Sequence, residues 1–142
     1  MLIYDFLPLE WPFERAADWL FGSPIDWLAA AAAAACDCSS PDGRLEHGSA
    51  RDRGDAIVLD FQWAALTVAS PFQRFEGELQ FAPLLAGSHL SLSGSYEPRA
   101  GMGGLRIERA QIQREAEARV RRFLDVVAGS MPMPMPMPEQ SP

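Results

Sequence analysis

Three stretches in the middle of the chain alternate apolar and polar residues with a period of two, the spacing of a strand with one buried face. Ile57, Leu59, Phe61 and Trp63 interleave with Val58, Asp60, Gln62 and Ala64. Phe75, Gly77, Leu79 and Phe81 interleave with Arg74, Glu76, Glu78 and Gln80, and Leu90, Leu92, Gly94 and Tyr96 with His89, Ser91, Ser93 and Ser95. Three such strands, broken at Pro71 and at Ala86-Gly87-Ser88, predict an antiparallel sheet with one wet side. A shorter alternation sets Leu2, Tyr4 and Phe6 against Ile3, Asp5 and Leu7 and predicts a strand over Leu2–Leu7, ended by Pro8. Leu45–Ala50 reads as a weak edge strand between two turn signals, Pro41-Asp42-Gly43 and Arg53-Gly54-Asp55.

Elsewhere the period lengthens to that of a helix. Pro12 suits a first helical position, and Phe13, Ala16, Ala17, Leu20 and Phe21 follow as one buried stripe until Gly22. Ser23 can cap a second helix, with Pro24 at its first position and Asp26 near its positive end. That helix passes through Trp27 and Leu28 into Ala29–Ala35, a run that favours helix but covers little area, so it lets a neighbour approach closely. The longest pattern covers Glu108–Ala128, after a turn at Gly101-Met102-Gly103-Gly104. Ile112, Ala116, Val120, Phe123, Leu124 and Val127 form its stripe, and Glu115–Arg119 and Glu117–Arg121 are favourable i, i+4 pairs on a face read as exposed. From Ser130 to Pro142 four Met-Pro pairs disfavour packed structure, so the chain divides into one domain over residues 1–129 and a disordered tail over 130–142.

Composition narrows the chemistry. The 142 residues hold 12 arginines and no lysine, which excludes Schiff-base and phosphate-loop lysine mechanisms, and no asparagine, which excludes N-glycosylation. A net charge of −7 argues against nucleic-acid binding. The apolar fraction of 48%, with eight Phe, four Trp and two Tyr, suffices for one core. No basic residue precedes Arg15 and the longest apolar run, Trp27–Cys36, is half a membrane span, so a cytoplasmic protein without a membrane span is expected. Cys36 and Cys38, one residue apart, read as free thiols.

Candidate catalytic and metal sites are weak. Cys36, Cys38, His47 and His89 match no zinc-ligand spacing, so no metal and no cofactor are expected. His89 shares the polar strand face with serines, and Asp60, Glu76 and Glu78 share the same outward parity; both read as solvated. The glycines at 101, 103 and 104 lack the final glycine of a dinucleotide fingerprint, whose place Arg106 takes, and Gly94 with Ser93 and Ser95 makes no nucleophile elbow.

Strand, two short helices, antiparallel strands and a long C-terminal amphipathic helix is an order that resembles the SRPBCC superfamily of START-like and polyketide-cyclase-like proteins. The most specific likeness is Leu92-Ser93-Gly94-Ser95-Tyr96-Glu97-Pro98 through Gly101 and Gly104, followed by Arg121-Arg122-Phe123-Leu124. Arg99, where a second proline is common, and the Met-Pro tail depart from that pattern. The resemblance implies an α+β helix-grip (START/Bet v 1-like) fold, with a curved sheet around the last helix and a cavity between them for a lipid, a polyketide or another hydrophobic small molecule. Strand periodicity supplies a lining of Leu59, Phe61, Trp63, Phe75, Leu79, Phe81, Leu90, Leu92 and Tyr96, to which the helix adds Ile112, Ala116, Val120, Phe123 and Leu124. The same stripe also describes a filled core. Trp63 and Tyr96, each with one hydrogen-bonding tip, are the candidates to orient a ligand, although Tyr96 is equally readable as a phenol bonded to backbone near Pro98. Two further readings stay open: a cyclase- or dehydratase-like enzyme using Tyr96 or His89, and an interaction module with a collapsed pocket. A homodimer is compatible with all three.

Overall fold

The computed structural model describes residues 2–22, 24–35, 43–65, 72–85, 87–98 and 106–131. Strand β1 (Leu2–Leu9) leads into α1 (Phe13–Gly22) and α2 (Trp27–Ala35). Then come β2 (Gly43–His47), β3 (Arg51–Asp52), β4 (Ile57–Ala65), β5 (Phe72–Leu84), β6 (Gly87–Pro98) and α3 (Arg106–Ser130). All six strands form one antiparallel sheet in the order β1-β6-β5-β4-β2, with β3 also paired to β4.

Register aligns the apolar parities of the strands into rows across one face. Ile57, Phe81, Leu90 and Leu7 make one row, Leu59, Leu79, Leu92 and Asp5 the next, then Phe61, Gly77, Gly94 and Ile3, and finally Trp63, Phe75 and Tyr96. Against this face packs the stripe of α3, with Ile112, Ala116, Val120, Phe123, Leu124 and Val127 all buried in a single core. The paired glycines in the third row leave room for an aromatic ring: a Cβ on Gly77 would fall 2.4 Å from Cε1 of Phe75. Phe61 and Phe75 then stack with centroids 5.6 Å apart, and Phe123 of α3 meets Phe61 at the same distance.

Arginines on α3 fix the helix against its neighbours. Arg122 Nε donates to the carbonyl of Ala35, 3.0 Å away at the C-terminus of α2, where helix carbonyls lack partners within the helix and favour a cation. Arg121 donates to the carbonyl of Phe6 at 3.0 Å and lies 3.5 Å from the carboxylate of Asp5. The N–H of Phe6 donates to the Asp5 carboxylate as well, so both backbone groups of Phe6 face the free edge of β1 and are occupied.

Several sequence expectations need correction. Pro8 does not end β1, which continues to Leu9: residues two apart along a strand point the same way, so the missing N–H of Pro8 faces the open edge and no ladder bond is lost. Phe21 lies off the buried stripe of α1 and is half-exposed, whereas Ala16 and Leu20 are buried and Phe13 and Ala17 pack partly buried against the core. The weak strand expected at Leu45–Ala50 is instead two, Gly43–His47 and Arg51–Asp52, both paired to β4. Helix α3 is longer than Glu108–Ala128, extending to Ser130, whose hydroxyl donates to the Val126 carbonyl. Met131 is buried in the core, so packed structure reaches past residue 129. Cys36, Cys38, Ser23, Pro71, the glycine turn at 101–104 and the Met-Pro repeats from Pro132 onward lie outside the described residues. Among the described residues, no helix is long and apolar enough to cross a membrane.

Candidate ligand-binding site

Where α2 and α3 meet the β2–β4 side of the sheet, the packing leaves an inner cavity of about 40 Å³. Its walls are Ala32 and Ala35 of α2, Leu45 of β2, Phe61, Trp63, Phe75 and Leu92 of the sheet, and Arg119, Val120 and Phe123 of α3. The alanine run explains its position. Ala31 and Ala35 are buried in the core, and small side chains at 32 and 35 stop short of the sheet. Room for roughly three waters is far below the roughly 300–1,000 Å³ of ligand pockets. A second space adjoins it on the outside. A groove of about 250 Å³ between α2 and β2 is lined by Ala29, Ala32, Ala33, Gly43, Arg44, Leu45 and Trp63. Ala32, Leu45 and Trp63 border both spaces, so these three residues stand between them, Trp63 being the largest.

Trp63 owes its pose to two neighbours. Gly43 supplies a surface without a side chain: a Cβ there would lie 1.8 Å from Cζ2 of the ring. The guanidinium carbon of Arg119 sits 5.1 Å from the ring centroid, a cation–π contact. Arg119 is buried, with 6% of its surface exposed.

The sequence-derived lining thus divides. Phe61, Trp63, Phe75, Leu92, Val120 and Phe123 border the cavity. Leu59, Leu79, Phe81, Leu90, Ile112, Ala116 and Leu124 are packed into filled core away from it. Tyr96 is buried and donates its hydroxyl hydrogen bond to Gln113 Oε1 on α3, and Gln113 Nε2 in turn donates to Glu117 at 2.9 Å. Burial pushes the Tyr96 phenol above its ordinary range, and the Glu117 carboxylate adds to the rise. Ala32, Ala35, Leu45 and Arg119 escaped the sequence reading. For Arg119 a signal existed, since it stands three residues after Ala116 and four before Phe123, on the apolar stripe itself. Its exposed-face reading is corrected: the helical spacing, not the charge, decides which way it points.

The other candidates lie outside this cavity. His89 packs its ring 5.0 Å from that of Phe6, and His47 Nδ1 donates to the neighbouring Gly48 carbonyl at 2.7 Å. Asp60 and Glu78 pair with Arg51 and Arg53 on the outer face. Among the described residues, no group of three or more His, Cys, Asp or Glu side chains is placed to hold a metal ion.

No family model matches the chain and no curated protein matches it in sequence. Among solved structures, the chain is similar to Zhui aromatase/cyclase from Streptomyces sp. R1128, with 16% identity over 91% of this chain and 92% of that one, at a TM-score of 0.51. It is also similar to Ara h 8.0201, with 7% identity over 91% and 95% of the two chains and a TM-score of 0.47. A third likeness is to the di-domain ARO/CYC StfQ from the steffimycin biosynthetic pathway, with 12% identity and a TM-score of 0.49, covering 92% of this chain and 50% of that one. The open antiparallel sheet closed by a C-terminal helix, and its superposition over nine-tenths of the first of these structures, give the chain an α+β helix-grip fold.

Proposed function

We propose that the protein binds a hydrophobic small molecule, lipid- or polyketide-like, between the sheet and α3, and that the ligand enters through the groove between α2 and β2. The observation that carries this reading is the pair of adjoining spaces that share Trp63, with Ala32 and Leu45, as a common wall. Turning one indole aside would join them into a volume close to the roughly 300 Å³ at which ligand pockets begin. The walls suit such a ligand, because Arg119 is the only charged group among the described residues of the inner cavity. The fold shared with an aromatase/cyclase supports a polyketide-like ligand by analogy.

A second reading, an interaction module whose pocket stays closed, is favoured by the 40 Å³ of the inner cavity alone. A cyclase- or dehydratase-like reaction gains less support, since Tyr96 is held by Gln113 and does not border the cavity. Titration of the protein with the neutral fluorophore N-phenyl-1-naphthylamine separates the first two. Saturable binding that is lost in Ala32→Phe, where a ring would occupy the shared mouth, supports ligand entry there. A folded parent chain that shows no saturable binding refutes it.

A further inference from the structure

We propose that the outer face of β1 and β6 is the contact through which two copies of this chain pair as a weak dimer. Strand β1 is apolar on both sides, the pattern of a strand covered from two faces, yet the core covers only the side of Ile3, Leu7 and Leu9. Its outward residues Leu2, Tyr4 and Phe6 are 83%, 60% and 50% exposed, and the rings of Tyr4 and Phe6 stand 6.0 Å apart as parts of one ridge. Single apolar residues scattered on a surface mean little, whereas three in succession on one strand form a patch. Beside the ridge the outward positions of β6 are small: Ser95 pairs with Leu2, Ser93 with Tyr4 and Ser91 with Phe6. Beyond them, Glu76 and Glu78 of β5 continue the rows of Ser95 and Ser93. Small side chains between two taller rows leave a hollow of about 670 Å³, bordered by Leu2 and Tyr4 on one side and by Glu76 and Glu78 on the other.

Shape and charge both favour a second copy as the occupant. Ridge and hollow lie side by side on one face, so a two-fold axis running along the strands between β1 and β6 lays each ridge in the other copy's hollow. Leu2 then sits over the partner's Ser95, and Tyr4 over the partner's Ser93. The alternate, outward positions from Leu2 to Pro8 and from His89 to Ser95 hold no Asp, Glu or Arg, in a chain of net charge −7. A basic partner would gain nothing from that patch, while two acidic copies meet there with the least repulsion. Asp60 and Glu78, already paired with Arg51 and Arg53, fall at the rim. Strand addition is not the mode, because Asp5 and Arg121 occupy the backbone of Phe6 at the edge. At their exposed fractions the three ridge side chains present roughly 400 Å² per copy, against the roughly 800 Å² per partner of a standard interface. That deficit makes the dimer weak and concentration-dependent.

Sedimentation equilibrium of the full chain, from about 10 to about 500 µM, tests the assignment. The mean mass should climb from 15.6 kDa toward twice that value. Tyr4→Glu, which sets a carboxylate on the ridge, should weaken self-association at least about tenfold. Ser93→Trp separates a seated contact from general stickiness, because it adds apolar surface but fills the hollow: association should fall, and a rise overturns the ridge-in-hollow arrangement. Leu85→Ser changes a fully exposed leucine in the β5–β6 turn, off the patch, and should leave the parent's curve unchanged; a loss equal to that of Tyr4→Glu overturns the placement. These side chains are exposed, so each variant should melt as the parent does, and if one of the first two does not, the other decides. A parent chain that stays monomeric across the range overturns the proposal, as does a dimer that the ridge and hollow variants leave intact. A monomeric parent that binds phosphatidylcholine vesicles would assign the patch to a lipid surface instead.

Discussion

Gly43→Ala is the most direct test of how Trp63 is held. The new methyl carbon would lie 1.8 Å from Cζ2, 2.0 Å from Cε2 and 2.6 Å from Cη2 of the indole. Contacting carbons sit about 3.5–4.0 Å apart, so the ring must retreat by roughly 2 Å or the edge strand β2 must move out. Overpacking of this kind costs about 1–3 kcal/mol. Full expulsion of Trp63 would cost more: a tryptophan buries up to about 250 Å², or about 6 kcal/mol at 25 cal/mol per Å². The indole should therefore shift and stay partly covered. Urea unfolding should show a loss of about 1–3 kcal/mol, with red-shifted tryptophan emission and stronger probe binding as the two spaces merge. Gly48→Ala is the control, because a Cβ there meets nothing within 4 Å and its effect should stay within about 0.5 kcal/mol. Equal stability and equal emission in the two variants would refute the packing of Trp63 on Gly43.

Other expectations follow from the same contacts. Leu124→Ala removes a fully buried side chain from the α3 stripe and should cost about 2–5 kcal/mol in denaturant unfolding, whereas a value under 1 would mean α3 is not seated on the sheet. Arg122→Ala frees the Ala35 carbonyl and should cost about 1 kcal/mol and speed amide exchange in α2; exchange changed uniformly across the protein would argue against a local tie. Tyr96 holds its proton more tightly in the folded state than an ordinary phenol of pKa 10.0, so its contribution to stability is complete below pH 10 and is lost as pH rises through the raised value. Tyr96→Phe should flatten that alkaline decline, and an unchanged slope between pH 9 and 12 would assign it to other groups. Asp5→Ala with Arg121→Ala uncovers the backbone of Phe6 at the β1 edge; sedimentation should show more self-association than in the parent chain, and none would show that the plug is dispensable.

The sheet was legible because its inward residues repeat every second position and are large. Ile57 to Trp63 and Leu79 to Phe81 announce one face however the strands pair, and α3 announces its stripe in the same way. The two-strand β2–β3 edge was not legible, since Arg44, Glu46, Arg51 and Asp52 are exposed and carry no burial pattern. Nor was the cavity. Periodicity tells which side chains turn inward but not whether they touch, so Leu59 and Phe61 look alike in sequence although one is sealed in core and the other borders a gap. What separates them is the alanine run of α2, an element distant in sequence whose contribution is the volume it fails to fill. Arg119 was missed through the opposite weighting, in which charge was read before helical position.

The placement of three arginines on α3 decides which wall of the site can yield. Arg121 ties the helix to β1 and Arg122 ties it to the end of α2, while Arg119, two residues earlier than Arg121, turns into the cavity. Moving α3 off the sheet would break the first tie and strip water-free contacts from Leu124 and Val127 at once. Moving α2 away from α3 would break the second. The remaining wall is β2, a five-residue edge strand with Arg44, Glu46 and His47 exposed and Leu45 its one side chain over the cavity. An opening that displaces β2 together with the Trp63 indole leaves both ties intact, and the apolar surface it uncovers is mainly that of one ring. Locking that strand, with a disulfide between Glu46→Cys and its register partner Gln62→Cys, should therefore slow ligand association in the oxidised protein and restore it on reduction. Association rates equal in both redox states would move the opening elsewhere.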